Sequence, residues 1–151
     1  MVCLGNICRS PMAEGILKQK AEKHKLAIEI DSAGTSDYHI GDKPDKRASS
    51  TCFAKGIDIS NLRGRQLCKA DFDEFDRIFV MDFSNYENSI ALVNEPEKQA
   101  KVEMILNLSY PGENRSVPDP YFGGDEGFEQ VYHLLDNACD VLIEQIKNEE
   151  S

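Results

Sequence analysis

A cysteine and an arginine separated by five residues stand at the head of the chain, in the run Cys3-Leu4-Gly5-Asn6-Ile7-Cys8-Arg9-Ser10-Pro11. Local signals make this run a loop that enters a helix. Ser10 is a good N-cap, and Pro11 at the first helical position forfeits no hydrogen bond. Met12, Ala13, Ile16 and Leu17 then recur at helical spacing. Gly5 lets the backbone turn tightly, and Asn6 stabilises a left-handed bend. Such a loop, curled around a tetrahedral oxyanion, points its N–H groups inward. The helix adds unpaired N–H groups and the positive end of its dipole. Arg9 adds a planar fork for two phosphate oxygens. Cys3 is expected on the floor of this cradle, where the field that attracts phosphate also favours a thiolate. Each piece alone has an ordinary reading. A cysteine near a terminus is commonly a small buried hydrophobe, and an arginine in a first turn a solvated charge. The joint run carries the chemical expectation.

Strand and helix patterns alternate beyond it. Leu26-Ala27-Ile28-Glu29-Ile30 reads as a short strand running to Asp31-Ser32-Ala33-Gly34. Pro44 opens a helix through about Lys55, stopped by Gly56. Ile57-Asp58-Ile59 alternates like a small strand, and Arg77-Ile78-Phe79-Val80-Met81 has the composition of a buried one. Ser84 can cap a helix toward Leu92, and Lys101–Leu106 reads as the last strand. Phe128, Val131, Leu135, Ala138, Leu142 and Ile146 step by three or four along a final helix. The order predicts an α/β fold in one domain over residues 1–151, a small parallel sheet with helices on both faces. Ligands of such sheets bind at the carboxyl ends of the strands. The segment from Tyr110 to Gly127 is the longest loop candidate.

Composition narrows the partners. A formal charge of −10 argues against non-specific nucleic-acid binding. No apolar run is long enough to span a membrane. Five cysteines without metal-ligand or disulfide-framework spacing suit a reducing compartment, so a cytoplasmic protein is expected. Cys52, Cys68 and Cys139 read as buried small hydrophobes.

Cys3 through Pro11 resembles the signature loop of the low-molecular-weight protein tyrosine phosphatases. Asp119-Pro120-Tyr121 resembles the general-acid loop of that family, and Asp31–Ser36 and Phe79–Asp82 resemble its other strand ends. The resemblance implies a phosphatase loop at the carboxyl end of the first strand. It implies hydrolysis of protein phosphotyrosine and small aryl phosphates through a cysteinyl-phosphate, by a monomer without metal or cofactor, inhibited by phosphate or vanadate. Cys3 would be the nucleophile, Arg9 the phosphate clamp and Asp119 the general acid. Leu4, Gly5, Asn6, Ile7, Cys8 and Ser10 would line the phosphate, with Ser10 bonded to the sulfur and Asn6 and Ser36 bracing the loop. Tyr38 and Tyr121 would flank the phenyl ring. Cys8 would form a protective disulfide with an oxidised Cys3, or simply pack behind the loop. An aspartate before proline also reads as an ordinary turn residue. Asp82 would face Arg9, or only cap the next helix.

The chain departs from the family in places. Only Met1 and Val2 precede Cys3, where the family has a hydrophobic strand, so a gap in the middle of the sheet is expected. Asn61 stands where many members have a histidine tied to the bracing network. Phe122 lacks the hydroxyl that some carry beside Tyr121. Ile7 replaces the threonine of related arginine phosphatases, favouring the tyrosine class. Two alternatives stand beside this reading. An arsenate reductase of the same fold needs relay cysteines, and Asp71–Ser116 has none. A phosphate-binding module without turnover would keep the cradle alone.

Overall fold

Four short parallel strands hydrogen-bond side by side in the order β2-β1-β3-β4 in the computed structural model, which describes residues 1–150. They are β1 (Val2–Cys3), β2 (Ala33–Gly34), β3 (Ile78–Val80) and β4 (Val102–Met104). The helices are α1 (Arg9–Lys23), α2 (Lys46–Phe53), α3 (Asp71–Glu74), α4 (Phe83–Ile90), α5 (Pro96–Gln99) and α6 (Asp125–Glu150). A 3-10 turn, Ile105–Asn107, follows β4. Because strand side chains alternate between faces, the sheet feeds two cores. Cys3 and Phe79 join α1, α2 and α6 on one side through Met12, Ile16, Phe128, Leu135 and Leu142. Val2, Ile78, Val80, Val102 and Met104 pack with Phe72 and Val93 on the other. This is the expected α/β arrangement. Among the described residues no helix is long and apolar enough to cross a membrane.

The gap expected at the first strand does not open. β1 is two residues long yet lies in the middle, pairing Val2 with Ala33 on one side and with Val80 on the other. Met1 O accepts from Ala33 N (3.0 Å), and Val2 O accepts from Met81 N (3.2 Å). Two residues suffice because both neighbours hold them and both side chains are buried. Leu26–Ile30 forms no strand: β1 begins at Val2, and Met1 N donates to Asp31 O (3.0 Å). Burial lowers the pKa of that ammonium.

Other boundaries shift for local reasons. α1 starts at Arg9, one residue before the expected cap, and Ser10 caps nothing because its hydroxyl is turned to Cys3 and Asn6. Pro11 still sits in the first turn, where N–H groups lack partners anyway. α4 is capped by Asp82 rather than Ser84: Asp82 accepts from Asn85 N, and the Asn85 side chain accepts from Asp82 N. Asp45, not Pro44, caps α2. Ile57 and Ile59 are buried but unpaired with any strand, packing close over Gly15 of α1.

Candidate active site

The loop between β1 and α1 is built around Asn6. Its φ of +58° puts it in the left-handed region, which asparagine tolerates better than most residues. That bend aims Asn6 N at Cys3 Sγ (3.3 Å). The Asn6 side chain is buried and fully used. Its oxygen accepts from Arg65 N (3.0 Å), and its amide nitrogen donates to Ser10 Oγ (2.7 Å) and Ser32 Oγ (3.0 Å). Ser32 Oγ in turn donates to Glu14 Oε1 (2.6 Å). Glu14 is itself buried and paired with Lys18 (2.5 Å).

Two of these partners fix the Asn6 amide. Arg65 N can only donate and the Glu14 carboxylate only accepts, so the Asn6 amide orientation follows. Ser10, already receiving a proton from Asn6, lies 3.0 Å from Cys3 Sγ and 3.4 Å from Ala33 O. The sulfur thus receives a backbone N–H and touches a hydroxyl able to donate to it.

The rest of the loop is tied down by neighbouring backbone. Thr35 N donates to Cys3 O (2.9 Å), and Ser36 donates to Leu4 O from both its N–H (3.0 Å) and its hydroxyl (2.9 Å). Asp45 N donates to Ile7 O (2.8 Å). β2 passes so close that a Cβ on Gly34 would lie 2.8 Å from Leu4 O. Asn6 and Ser36 thus both bond to the loop or its neighbours, and Ser32 and Glu14 extend the same chain of hydrogen bonds. Asn61 is exposed and takes no part in these bonds.

Arg9 is only 2% exposed. Its Nη1 donates to Asp82 Oδ2 (2.7 Å) and to Val117 O (3.0 Å). Its Nη2 lies 3.6 Å from Asp119 Oδ2. Asp82 fills both roles foreseen for it, orienting Arg9 and capping α4. Asp119 is half-exposed and also makes the turn contact expected of an aspartate before proline, accepting from Tyr121 N (3.1 Å).

One pocket joins these groups. Its lining includes Cys3, Leu4, Gly5, Ile7, Cys8 and Arg9 from the loop, Asp119 and Tyr121 from the long segment before α6, and Tyr38. His39 and Phe122 complete the rim. Tyr38, Leu4 and Phe122 are exposed, and Phe122 stands edge-on to Tyr121 at 4.9 Å between ring centres. The cysteines divide by environment. Burial pushes the Cys8 thiol far up and those of Cys52 and Cys139 up to about 12. Cys68 is exposed, against expectation, because it lies at the turn before α3 with its sulfur toward Asp71.

The sequence reading missed Glu14, Ser32 as a hydrogen-bonding partner, Arg47 and Arg65. One signal was available for Glu14: it is a carboxylate inside a helical stretch, Met12–Leu17, that is buried on every side.

The model of the family described as low molecular weight phosphotyrosine protein phosphatase matches residues 1–151. The low molecular weight phosphotyrosine protein phosphatase of Schizosaccharomyces pombe is 43% identical over 137 residues, 89% of this chain and 86% of the relative. The chain belongs to this family. A protein tyrosine phosphatase from Entamoeba histolytica, crystallised with Hepes in its active site, superposes with a TM-score of 0.91 at 36% identity, covering 99% of this chain and 96% of that one. A Drosophila arginine phosphatase superposes with a TM-score of 0.87 at 34% identity, covering 97% and 95%. Membership in the low molecular weight phosphotyrosine protein phosphatases makes the chain a hydrolase of phosphotyrosine.

Proposed function

We propose that the chain hydrolyses protein phosphotyrosine and small aryl phosphates through a cysteinyl-phosphate on Cys3. The observation that carries this reading is the sulfur of Cys3, which receives the Asn6 N–H and touches the Ser10 hydroxyl in a pocket shared with Arg9 and Asp119. The Cys3 thiolate attacks phosphorus as the bond to the aryl oxygen breaks. Asp119 gives its proton to that oxygen, so phenol leaves neutral. Arg9 and the inward N–H groups of the loop hold the equatorial oxygens as charge spreads over them. Water then attacks phosphorus, the S–P bond breaks, and Asp119 takes the proton from water. The thiolate leaves with the Ser10 hydroxyl bonded to it. Tyr38 and Tyr121 stack against the phenyl ring, and apolar Ile7 offers a phosphoguanidinium no partner. Cys8 stands in the same loop; a sulfenic acid on Cys3 would condense with the Cys8 thiol to a disulfide, releasing water.

The test compares wild type, Cys3→Ser and Asp119→Ala on aryl phosphates of rising leaving-group basicity, with phosphoarginine as a further substrate. Cys3→Ser should abolish turnover. Asp119→Ala should lower kcat/KM for phenyl phosphate by about 10²–10⁴-fold and far less for dinitrophenyl phosphate. Equal loss on both aryl esters would remove Asp119 from the acid role. Faster turnover of phosphoarginine than of phosphotyrosine would overturn the substrate class.

A further inference from the structure

We propose that Arg47 is a positioning residue that sets the reach of Asp119; this rests on the reading of Asp119 as the acid. Arg47 lies in the first turn of α2 and bridges two loops. On one side it grips Asp45, the N-cap of its own helix, from Nε (3.2 Å) and Nη2 (3.2 Å). Asp45 is fixed in turn by its N–H on Ile7 O of the phosphate loop. On the other side Arg47 Nη2 donates to Tyr121 O (2.8 Å), and Nη1 donates to Gly123 O (2.9 Å). Its guanidinium also lies over the buried Phe128 ring, 4.7 Å from the centroid.

Besides Arg47, the segment is held by Val117, by the buried Pro120 beside Gly127 and by the Arg9 contact to Asp119. Val117 is anchored by its N–H on Met81 O (2.8 Å) and its carbonyl on Arg9. From Pro118 to Gly124 most residues are exposed. Its further hydrogen bonds stay inside the stretch or run to Gly127: Tyr121 N to Asp119 Oδ1, Gly123 N to Pro120 O, and Gly127 N to Gly124 O. Asp119 therefore sits between two clamps. Val117 is fixed two residues before it, and Arg47 fixes the carbonyls two and four residues after it. The second clamp is referred through Asp45 to Ile7 of the phosphate loop. Asp119 is thereby registered against the cradle that would hold phosphorus. The separated nitrogens of the guanidinium reach two carbonyls and a carboxylate at different points, a span the single ammonium nitrogen of lysine does not cover.

The test uses Arg47→Gln and Arg47→Lys, each alone and combined with Asp119→Ala, with thermal melting to confirm folding. A loosened acid fails most where the leaving group most needs a proton. Both variants should lower kcat/KM for phenyl phosphate by roughly 10–100-fold, the scale of an ångström of misplacement, while sparing dinitrophenyl phosphate to within about threefold. In the Asp119→Ala background either change should add less than about twofold, because the group it acts through is gone. Equal losses across leaving groups, undiminished loss beside Asp119→Ala, or wild-type rates would each overturn the proposal. If Asp119→Ala itself spares phenyl phosphate, the acid reading fails first and this one with it. Arg47→Lys keeps the charge and the aliphatic stem, so it provides the measurement if Arg47→Gln does not fold.

Discussion

Replacing Asn6 tests whether the residue is there for its backbone angle or for its side chain. If the +58° φ were the whole reason, glycine would serve as well, since it adopts that region freely. The hydrogen bonds argue otherwise. Truncation to glycine strips the acceptor from the part-buried Arg65 N, which costs about 1–2 kcal/mol for a donor left without its partner. Ser10 and Ser32 each lose a donor but keep Cys3 and Glu14, a smaller loss of about 0.5–1 kcal/mol apiece. Asn6→Gly should therefore destabilise by about 3 kcal/mol in urea titration, and Asn6→Ala by a similar amount, with about 1 kcal/mol of left-handed strain in place of the glycine entropy. Activity should suffer too. Without the Asn6 donor, the Ser10 hydroxyl is free to turn toward Ala33 O, 3.4 Å away, and leave the sulfur. Losing one hydrogen bond to an ionised group is worth about 1.5–3 kcal/mol, or roughly ten- to hundredfold in kcat/KM. Asn6→Gly with stability within about 0.5 kcal/mol of wild type and unchanged kcat/KM would refute the reasoning, leaving the bend as the only role.

Two further expectations follow from the titratable groups. Iodoacetamide at neutral pH should label Cys3 and the exposed Cys68 and spare Cys8, Cys52 and Cys139, whose thiols burial pushes up; phosphate should protect Cys3 alone. Peptide mapping that finds Cys8 labelled first would contradict this. Burial alone would raise the Asp71 carboxyl, but the paired bonds from Arg65 and the Cys68 N–H outweigh it and hold it below the usual carboxylate range. A depressed folded value stabilises the protein above the unfolded value of about 4, and that contribution drains away as pH falls through the folded one. Asp71→Asn should therefore destabilise most at neutral pH, and its gap to wild type should close in acid below about pH 3. A gap of constant size from pH 7 to pH 3 would show that the charge is not what matters.

Legibility in the sequence followed the range of the forces involved. The loop Cys3–Pro11, the buried strand at Ile78–Val80 and the stripe on α6 are local patterns, and each was readable from spacing alone. Strand existence at Leu26–Ile30 was not, because pairing depends on a neighbour some thirty residues away in sequence, and β1 spans only Val2–Cys3. Ser10 looked like a cap since its type and place fit one; a long-range competitor, the Cys3 sulfur, claimed its hydroxyl. Asp119 was found only through its likeness to a known loop, because nothing local brings residues 9 and 119 together. Glu14 and Arg47 were invisible for the complementary reason. Their partners, Ser32 for the first and the carbonyls of Tyr121 and Gly123 for the second, are brought near by the packing of β2 and α6.

The contact between Arg9 and Asp119 has a consequence for how an anion enters. The guanidinium already leans on two carboxylates, one part-buried at 2.7 Å and one more exposed at 3.6 Å. A phosphate dianion arriving at that edge meets a cation with a resident rival. The longer of the two contacts, to the more exposed Asp119, is the one an anion displaces more easily. Capture of the anion and release of Asp119 are then a single exchange at one nitrogen; on the proposed reading of Asp119 as the acid, occupancy of the cradle is what frees it for the ester oxygen.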